Sequence, residues 1–230
     1  MVIIITGASH TGKTVLAQRM LEKYKFSYLS IDHLKMGLIR SGNTKLTTQD
    51  DDQLTPYLWP IVREMIKTAI ENRQNIIVEG CYIPFDWRKD FDQEYLQDIN
   101  FICLALTDAY IDAHFAEIRE HASDIEARLD DSDCTVDWIK EENRRVIQGF
   151  EASEEFVDLI DSDYQSVVEK ALLLIPAKIK KLIAEKKYTF DDMGKSGSSI
   201  LIFDDCVLKI LDSRLHNEES SVEVLNWLKG

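Results

Sequence analysis

Gly7-Ala8-Ser9-His10-Thr11-Gly12-Lys13-Thr14 has the form G-x-x-x-x-G-K-[ST], and its flanks constrain the chain as much as its letters. An apolar run, Val2-Ile3-Ile4-Ile5, precedes it and reads as a buried strand. Val15-Leu16-Ala17-Gln18-Arg19-Met20-Leu21 follows and reads as a helix. Strand, glycine loop and helix in that order form a phosphate cradle. Glycine lets the backbone wrap an anion with its N–H groups turned inward. The helix N-terminus adds partial positive charge at the same place. Ser9, His10, Thr11 and Gly12 would line the loop, Lys13 would reach the β- and γ-phosphates, and the Thr14 hydroxyl would ligate Mg²⁺. Within the loop, His10 reads as a shaping residue rather than a base.

The rest of the chain alternates between strand and helix patterns. Strand candidates are Val2–Thr6, Phe26–Ile31, Asn75–Glu79, Asn100–Leu106 and Phe156–Ile160. Helical patterns cover Thr14–Lys25, His33–Arg40, Tyr57–Asn72, Ala109–His121, Val136–Phe150 and Tyr164–Lys186. Such alternation predicts an α/β domain around a parallel sheet. Ser41–Asp52 is polar and reads as a mobile loop. Ala122–Thr135 is acidic and reads either as a lid or as a solvated connection. The pattern changes after the lysines at 186 and 187. A hairpin with a Gly/Ser turn, a further strand Cys206–Ile210 and a short helix Asn217–Lys229 follow. The expected domains are therefore 1–187 and 188–230.

Composition narrows the partners. With 41 acidic and 27 basic residues the formal charge is −14, which argues against nucleic acid and anionic membranes as main partners. No apolar run approaches the ~18 residues of a membrane span, and the N-terminus enters the first strand directly, with no signal peptide. Cys81, Cys103, Cys134 and Cys206 show no zinc-ligand spacing and read as free thiols. The expected location is the cytoplasm.

Residues Met1 to about Lys186 resemble the P-loop kinases of small molecules, the superfamily of adenylate, shikimate and 2-phosphoglycerate kinases, chloramphenicol phosphotransferase and zeta toxins. The resemblance implies a five-stranded parallel sheet of order 2-3-1-4-5, flanked by helices, with ATP and Mg²⁺ bound at the strands' carboxyl ends. It implies that Asp32, after the second strand, binds the acceptor hydroxyl and takes its proton, the alternative being a helix cap for His33–Arg40. It places Glu79 at the magnesium-facing or substrate-facing acidic position. Tyr82, Phe85, Trp87 and Arg88 follow that strand and read as a substrate wall or as packing under a loop. Phosphoryl transfer also asks for cations. Arg119, Arg128, Arg144 and Arg145 are candidates; Arg144 and Arg145 match the lid arginines of similar kinases, with a solvated face as the alternative. Lys35, Arg40 and Arg63 are weaker candidates for holding an anionic acceptor. Ser162-Asp163-Tyr164 falls where related kinases wrap adenine.

The tail resembles the start of an aminoglycoside phosphotransferase N-lobe. Gly194-Lys195-Ser196-Gly197-Ser198 would be its glycine loop, Lys209 its strand lysine and Glu218 or Glu219 that lysine's partner. The catalytic lobe of that family does not follow within these residues, so either the chain is a fragment of a longer fusion or the tail serves packing, regulation or homo-oligomerisation. The function expected is transfer of the ATP γ-phosphoryl to a small-molecule hydroxyl or phosphate. A non-catalytic nucleotide switch and a toxin-like or antibiotic kinase remain as alternatives.

Overall fold

A computed structural model describes residues 1–121 and 134–172, together with the backbone of three strands in the range 189–210. The chain forms two compact units, Met1–Leu174 and Ile175–Gly230.

The first unit is built on β1 (Val2–Gly7), whose six residues are all buried. An apolar run with no polar alternation belongs in a parallel sheet covered on both faces. β1 pairs in parallel with β3 (Ile76–Glu79) on one side and β4 (Ile99–Leu106) on the other. β2 (Ser27–Ser30) adds outside β3, and β5 (Asp158–Ile160) outside β4. The order is β2-β3-β1-β4-β5, as the kinase resemblance implies.

Alternate residues of β1 serve opposite layers. Val2 and Ile4 pack with Leu54, Leu58, Val62 and Ile66 of α3 (Asp51–Glu71) and with Phe150 of α6 (Val136–Ala152). Ile3 and Ile5 pack with Leu16 and Met20 of α1 (Lys13–Tyr24), Ile111 of α5 (Asp108–Glu120) and Val168 of α7 (Tyr164–Ala171). Full burial of each such side chain contributes about 2 kcal/mol, which makes β1 the axis of the core.

Several boundaries differ from the sequence expectation. α2 spans Ile31–Arg40, two residues earlier than the pattern from His33, because Ser30 caps it: the Ser30 hydroxyl accepts from His33 N at 3.3 Å. Asp32 is therefore inside the first turn and is not the cap. α3 begins at Asp51 and takes in the end of the expected mobile loop Ser41–Asp52. Pro56 and Pro60 make the helix look broken in sequence, since each lacks an N–H. Burial of Leu54, Leu58, Trp59, Val62, Ile66 and Ala69 outweighs those losses, and the acids Asp51 and Asp52 suit the positive helix start. β5 is shorter than Phe156–Ile160, beginning at Asp158. Between β3 and β4 lie a 3₁₀ turn, Trp87–Asp90, and a single turn, α4 (Gln93–Leu96), which the sequence patterns did not reveal.

The second unit contains an antiparallel sheet of order β6-β7-β8. β6 (Thr189–Asp192) pairs with β7 (Ser199–Phe203), which pairs with β8 (Cys206–Ile210). The glycine turn 194–198 and the expected helix Asn217–Lys229 lie outside the described residues. So do the stretch 122–133 with Arg128, and the extension of α7 towards Lys186. Among the described residues no helix is long and apolar enough to cross a membrane.

Candidate active site

The glycine loop leaves β1 at its carboxyl end. Gly7 has φ 140°, and a Cβ there would stand 2.0 Å from the Leu104 carbonyl oxygen of β4, so only glycine lets the strands stay this close. Gly12 has φ 76° and caps α1 without any side chain. The first turn of α1 also carries no acid, whereas those of α2, α3, α5 and α6 each contain aspartate. A helix start stripped of its own anion and of a side-chain cap keeps its N–H groups and partial positive charge for an external anion.

Inside the loop, the Thr11 hydroxyl donates to the Ala8 carbonyl at 2.9 Å, and the Lys13 ammonium donates to the same oxygen at 2.6 Å. Lys13 is thus folded over the loop, with its charge at the mouth of the cradle. His10 takes a left-handed backbone, φ 64°. Its Nε2 lies 3.7 Å from the Cys134 sulfur, and its ring meets Trp138 edge-on at 6.1 Å. His10 therefore shapes the loop by tying it to the start of α6, consistent with a shaping residue.

Glu79 ends β3 beside Ile5 of β1 and is only 2% exposed. One carboxylate oxygen faces the Thr14 hydroxyl at 3.5 Å; the other accepts from the Tyr28 hydroxyl at 2.9 Å. A hydroxyl and a carboxylate side by side at the cradle are hard-oxygen groups of the kind Mg²⁺ takes when phosphate oxygens complete its shell. The described residues contain no group of three or more His, Cys, Asp or Glu that could hold a metal ion without such help.

Asp32 stands at the start of α2, one residue after Ile31. Gly80 packs so closely on Ile31 that a Cβ would meet the Ile31 Cβ at 2.7 Å. Glu79 and Asp32 thus flank one tight contact at the sheet's carboxyl edge. Asp32 forms an ion pair with Lys35. Lys35 in turn donates to the Tyr82 hydroxyl at 2.9 Å and lies over its ring, 4.8 Å from the centroid. The Tyr82 hydroxyl donates to Asp51 at 3.0 Å. Burial, helped by nearby acidic groups, holds the Tyr82 phenol above its ordinary range, so it stays protonated and able to donate.

Trp87 and Arg88 require a correction. Trp87 is completely buried and stacks on Phe101 at 5.2 Å between centroids, so it packs the core instead of walling a substrate. Arg88 lies over the Trp87 ring and pairs, by both Nε and Nη2, with the buried Glu155. Phe85 sits edge-on to Phe150, again as packing. Arg88→Ala should therefore leave a buried carboxylate without its cation. A fall in stability of about 2 kcal/mol in urea melts is expected, reduced from the fully buried case because Arg88 itself is half-exposed, with nucleotide affinity unchanged. Lost affinity at unchanged stability would restore Arg88 to the site.

Arg144 and Arg145 point outward from α6. Arg144 pairs with Asp108 at the start of α5, and Arg145 pairs with Glu142 at 3.0 Å. Arg144 lies six residues beyond Trp138, about 9 Å along the helix axis from the contact with His10. Both arginines are therefore engaged with carboxylates in this structure. Arg63 is likewise held, by Glu64 and Asp90.

Two contacts to the site carried no signal in the sequence. The Tyr164 hydroxyl lies where a Cβ on Gly12 would come within 2.0 Å of it, so the residue expected near adenine also abuts the phosphate loop. Buried Asn143 of α6 accepts from Leu106 N at 2.7 Å and fixes the helix to the end of β4.

A glycine loop between β1 and α1, Glu79 at the end of β3, Asp32 in the first turn of α2 and the order 2-3-1-4-5 define a P-loop fold. The AAA domain family profile matches residues 2–145, and the chain belongs to that family. No curated protein sequence matches it. Among solved structures it is similar to a gluconokinase from Sinorhizobium meliloti 1021, at 13% identity and TM-score 0.43 over 75% of this chain and 89% of that one. A putative kinase from Chloroflexus aurantiacus aligns at 17% identity and TM-score 0.43, over 76% and 97% of the two chains. Shikimate kinase from Aquifex aeolicus aligns at 13% identity and TM-score 0.40, over 75% and 94%.

Proposed function

We propose that the protein transfers the γ-phosphoryl group of Mg-ATP to a hydroxyl of a small-molecule acceptor. The observation that carries this reading is the uncapped, acid-free start of α1 beside Lys13, with Thr14–Glu79 and Asp32 on the same sheet edge. The loop N–H groups from Gly7 to Thr14 and the Lys13 ammonium would hold the phosphates. Thr14 and Glu79 would hold Mg²⁺, which when bound neutralises phosphate charge. Asp32 would orient the acceptor hydroxyl, and buried Tyr82 would hold Lys35 and Asp51 beside it. One of Arg144 and Arg145, which point about 100° apart on the helix, would exchange its carboxylate for phosphate oxygens during transfer. That exchange is cheap, because exposed ion pairs contribute about 0–1 kcal/mol. A cytoplasmic location suits a protein of this charge and class.

The test is ATP consumption against a panel of hydroxylated metabolites, nucleotides and antibiotics, with phosphorylated product identified by mass. Product formed on one acceptor class supports transfer; ATP binding without product supports a nucleotide switch. The three-stranded sheet after residue 188 supplies a strand lysine, Lys209, and the likeness to an aminoglycoside phosphotransferase N-lobe is part of this proposal. An isolated small sheet is marginal in water, so these strands would pack on another surface or a second copy. Deleting residues 188–230 should leave nucleotide affinity within about twofold while changing solubility or oligomeric mass in light scattering. Lys209→Ala should keep turnover; loss of turnover as complete as for Lys13→Ala would assign chemistry to the tail.

A further inference from the structure

Four side chains from three separate elements meet at the carboxyl edge between β2 and β3: Asp32 and Lys35 from α2, Asp51 from α3, and Tyr82 after β3. They form one continuous chain of contacts, carboxylate to ammonium to phenol to carboxylate. Lys35 is 12% exposed in its side chain, and its charge is spent inside the group, on Asp32 and on the face and hydroxyl of Tyr82. Asp32 takes that ammonium directly, Asp51 reaches it only through the Tyr82 hydroxyl, and two carboxylates against one ammonium leave the group with excess negative charge. Among the described residues, Arg88 is engaged by buried Glu155, and Arg63 by Glu64 and Asp90. Arg40 stands at the opposite end of α2, eight residues from Asp32 and about 12 Å along the axis.

Resting on the kinase reading above, we propose that this group is the acceptor-binding floor and that it selects a hydroxyl compound without negative charge, of the polyol or amino-polyol class. An acceptor bearing a carboxylate or phosphate would meet Asp32 and Asp51 where Lys35, Arg88 and Arg63 are already engaged, and like charges at close range cost affinity. An amino-polyol would donate its N–H and O–H groups to the same carboxylates, gaining charge-assisted hydrogen bonds. Asp32, one-third exposed, presents a carboxylate oxygen to the hydroxyl to be phosphorylated. In the transfer, a bond forms between that hydroxyl oxygen and the γ-phosphorus, while the bond from the γ-phosphorus to the β,γ-bridging oxygen breaks. The electron pair leaves with ADP, and the hydroxyl proton passes to Asp32 and then to solvent. Lys35, Tyr82 and Asp51 act as positioning residues, holding Asp32 against α3.

The experiment is a matched acceptor panel run on the full chain with Mg-ATP. Each polyol is paired with its amino derivative and with its carboxylated or phosphorylated counterpart. ATP affinity is measured separately by calorimetry. The expected result is a kcat/KM at least about tenfold higher for neutral or amino acceptors than for their anionic counterparts. Asp51→Asn, at an exposed helix start, should lower kcat/KM for amino acceptors about threefold to tenfold, mainly through KM. ATP affinity should not change. Asp51→Lys should narrow or reverse the preference. Efficient turnover of an anionic acceptor by the wild type, or an Asp51→Lys variant with unaltered preference, overturns this inference and leaves the kinase reading intact. ATP binding with no product on any member, charged or neutral, overturns the kinase reading itself.

Discussion

Asp32→Asn lowers phosphorylation of the identified acceptor by about 10²-fold or more, with ATP affinity and fold retained. The size follows from the role. Asparagine has nearly the shape of aspartate and keeps a carbonyl oxygen for the acceptor hydroxyl, but it cannot take the proton. Stability is little affected, because Ser30, not Asp32, caps α2. The ion pair with Lys35 is lost, but the asparagine carbonyl oxygen can still accept from the ammonium and Lys35 keeps its contacts to Tyr82, so the cost is about 1 kcal/mol. Single-turnover kinetics at saturating ATP separate the outcomes. A slow chemical step with unchanged nucleotide affinity assigns proton transfer to Asp32. Turnover within about threefold of wild type would leave Asp32 as no more than a favourable charge in the first turn.

Lys13→Ala weakens Mg-ATP binding by about tenfold or more, the equivalent of roughly 1.5–3 kcal/mol for one charge-assisted contact. Lys13 now spends its ammonium on the Ala8 carbonyl, which Thr11 also donates to. That oxygen keeps its Thr11 partner when the lysine is removed, so the loop should stay folded and the loss should read as binding energy. Calorimetry with ATP and GTP checks it; equal affinity in both proteins would remove Lys13 from the phosphate site.

The parts of this molecule legible in sequence are those governed by short-range rules. β1 and its loop were readable because a continuous apolar run, two glycines at fixed spacing and a helix start each demand one conformation. The start of α3 was not. Pro56 and Pro60 signal breaks locally, while the burial that overrides them comes from the far side of the sheet. The run Asp50-Asp51-Asp52 before Leu54, Leu58 and Val62 was the available clue, since acids gather at helix starts. Trp87 and Arg88 stayed undecided between a wall and packing because composition cannot tell a wall from a filled core. Only the stack on Phe101 and the buried Glu155 decide it. Asp32 was found but its neighbours were not, because Lys35, Tyr82 and Asp51 come together only once α2, α3 and β3 share an edge.

The closeness of Tyr164 to Gly12 has a genetic consequence. Position 12 is held to glycine by two independent constraints, a left-handed backbone and an oxygen from 152 positions away. The first costs about 1 kcal/mol for alanine; the second is steric and belongs to another residue altogether. A Gly12→Ala lesion should therefore be partly suppressible from a distance. Selection for restored nucleotide binding in that background should return Tyr164→Ala or Tyr164→Ser, because Tyr164→Phe would still leave the ring carbons 2.8 and 3.0 Å from the new Cβ. The permitted alphabet at the loop is in this sense written at the far end of the sheet, and the two positions would have to drift together.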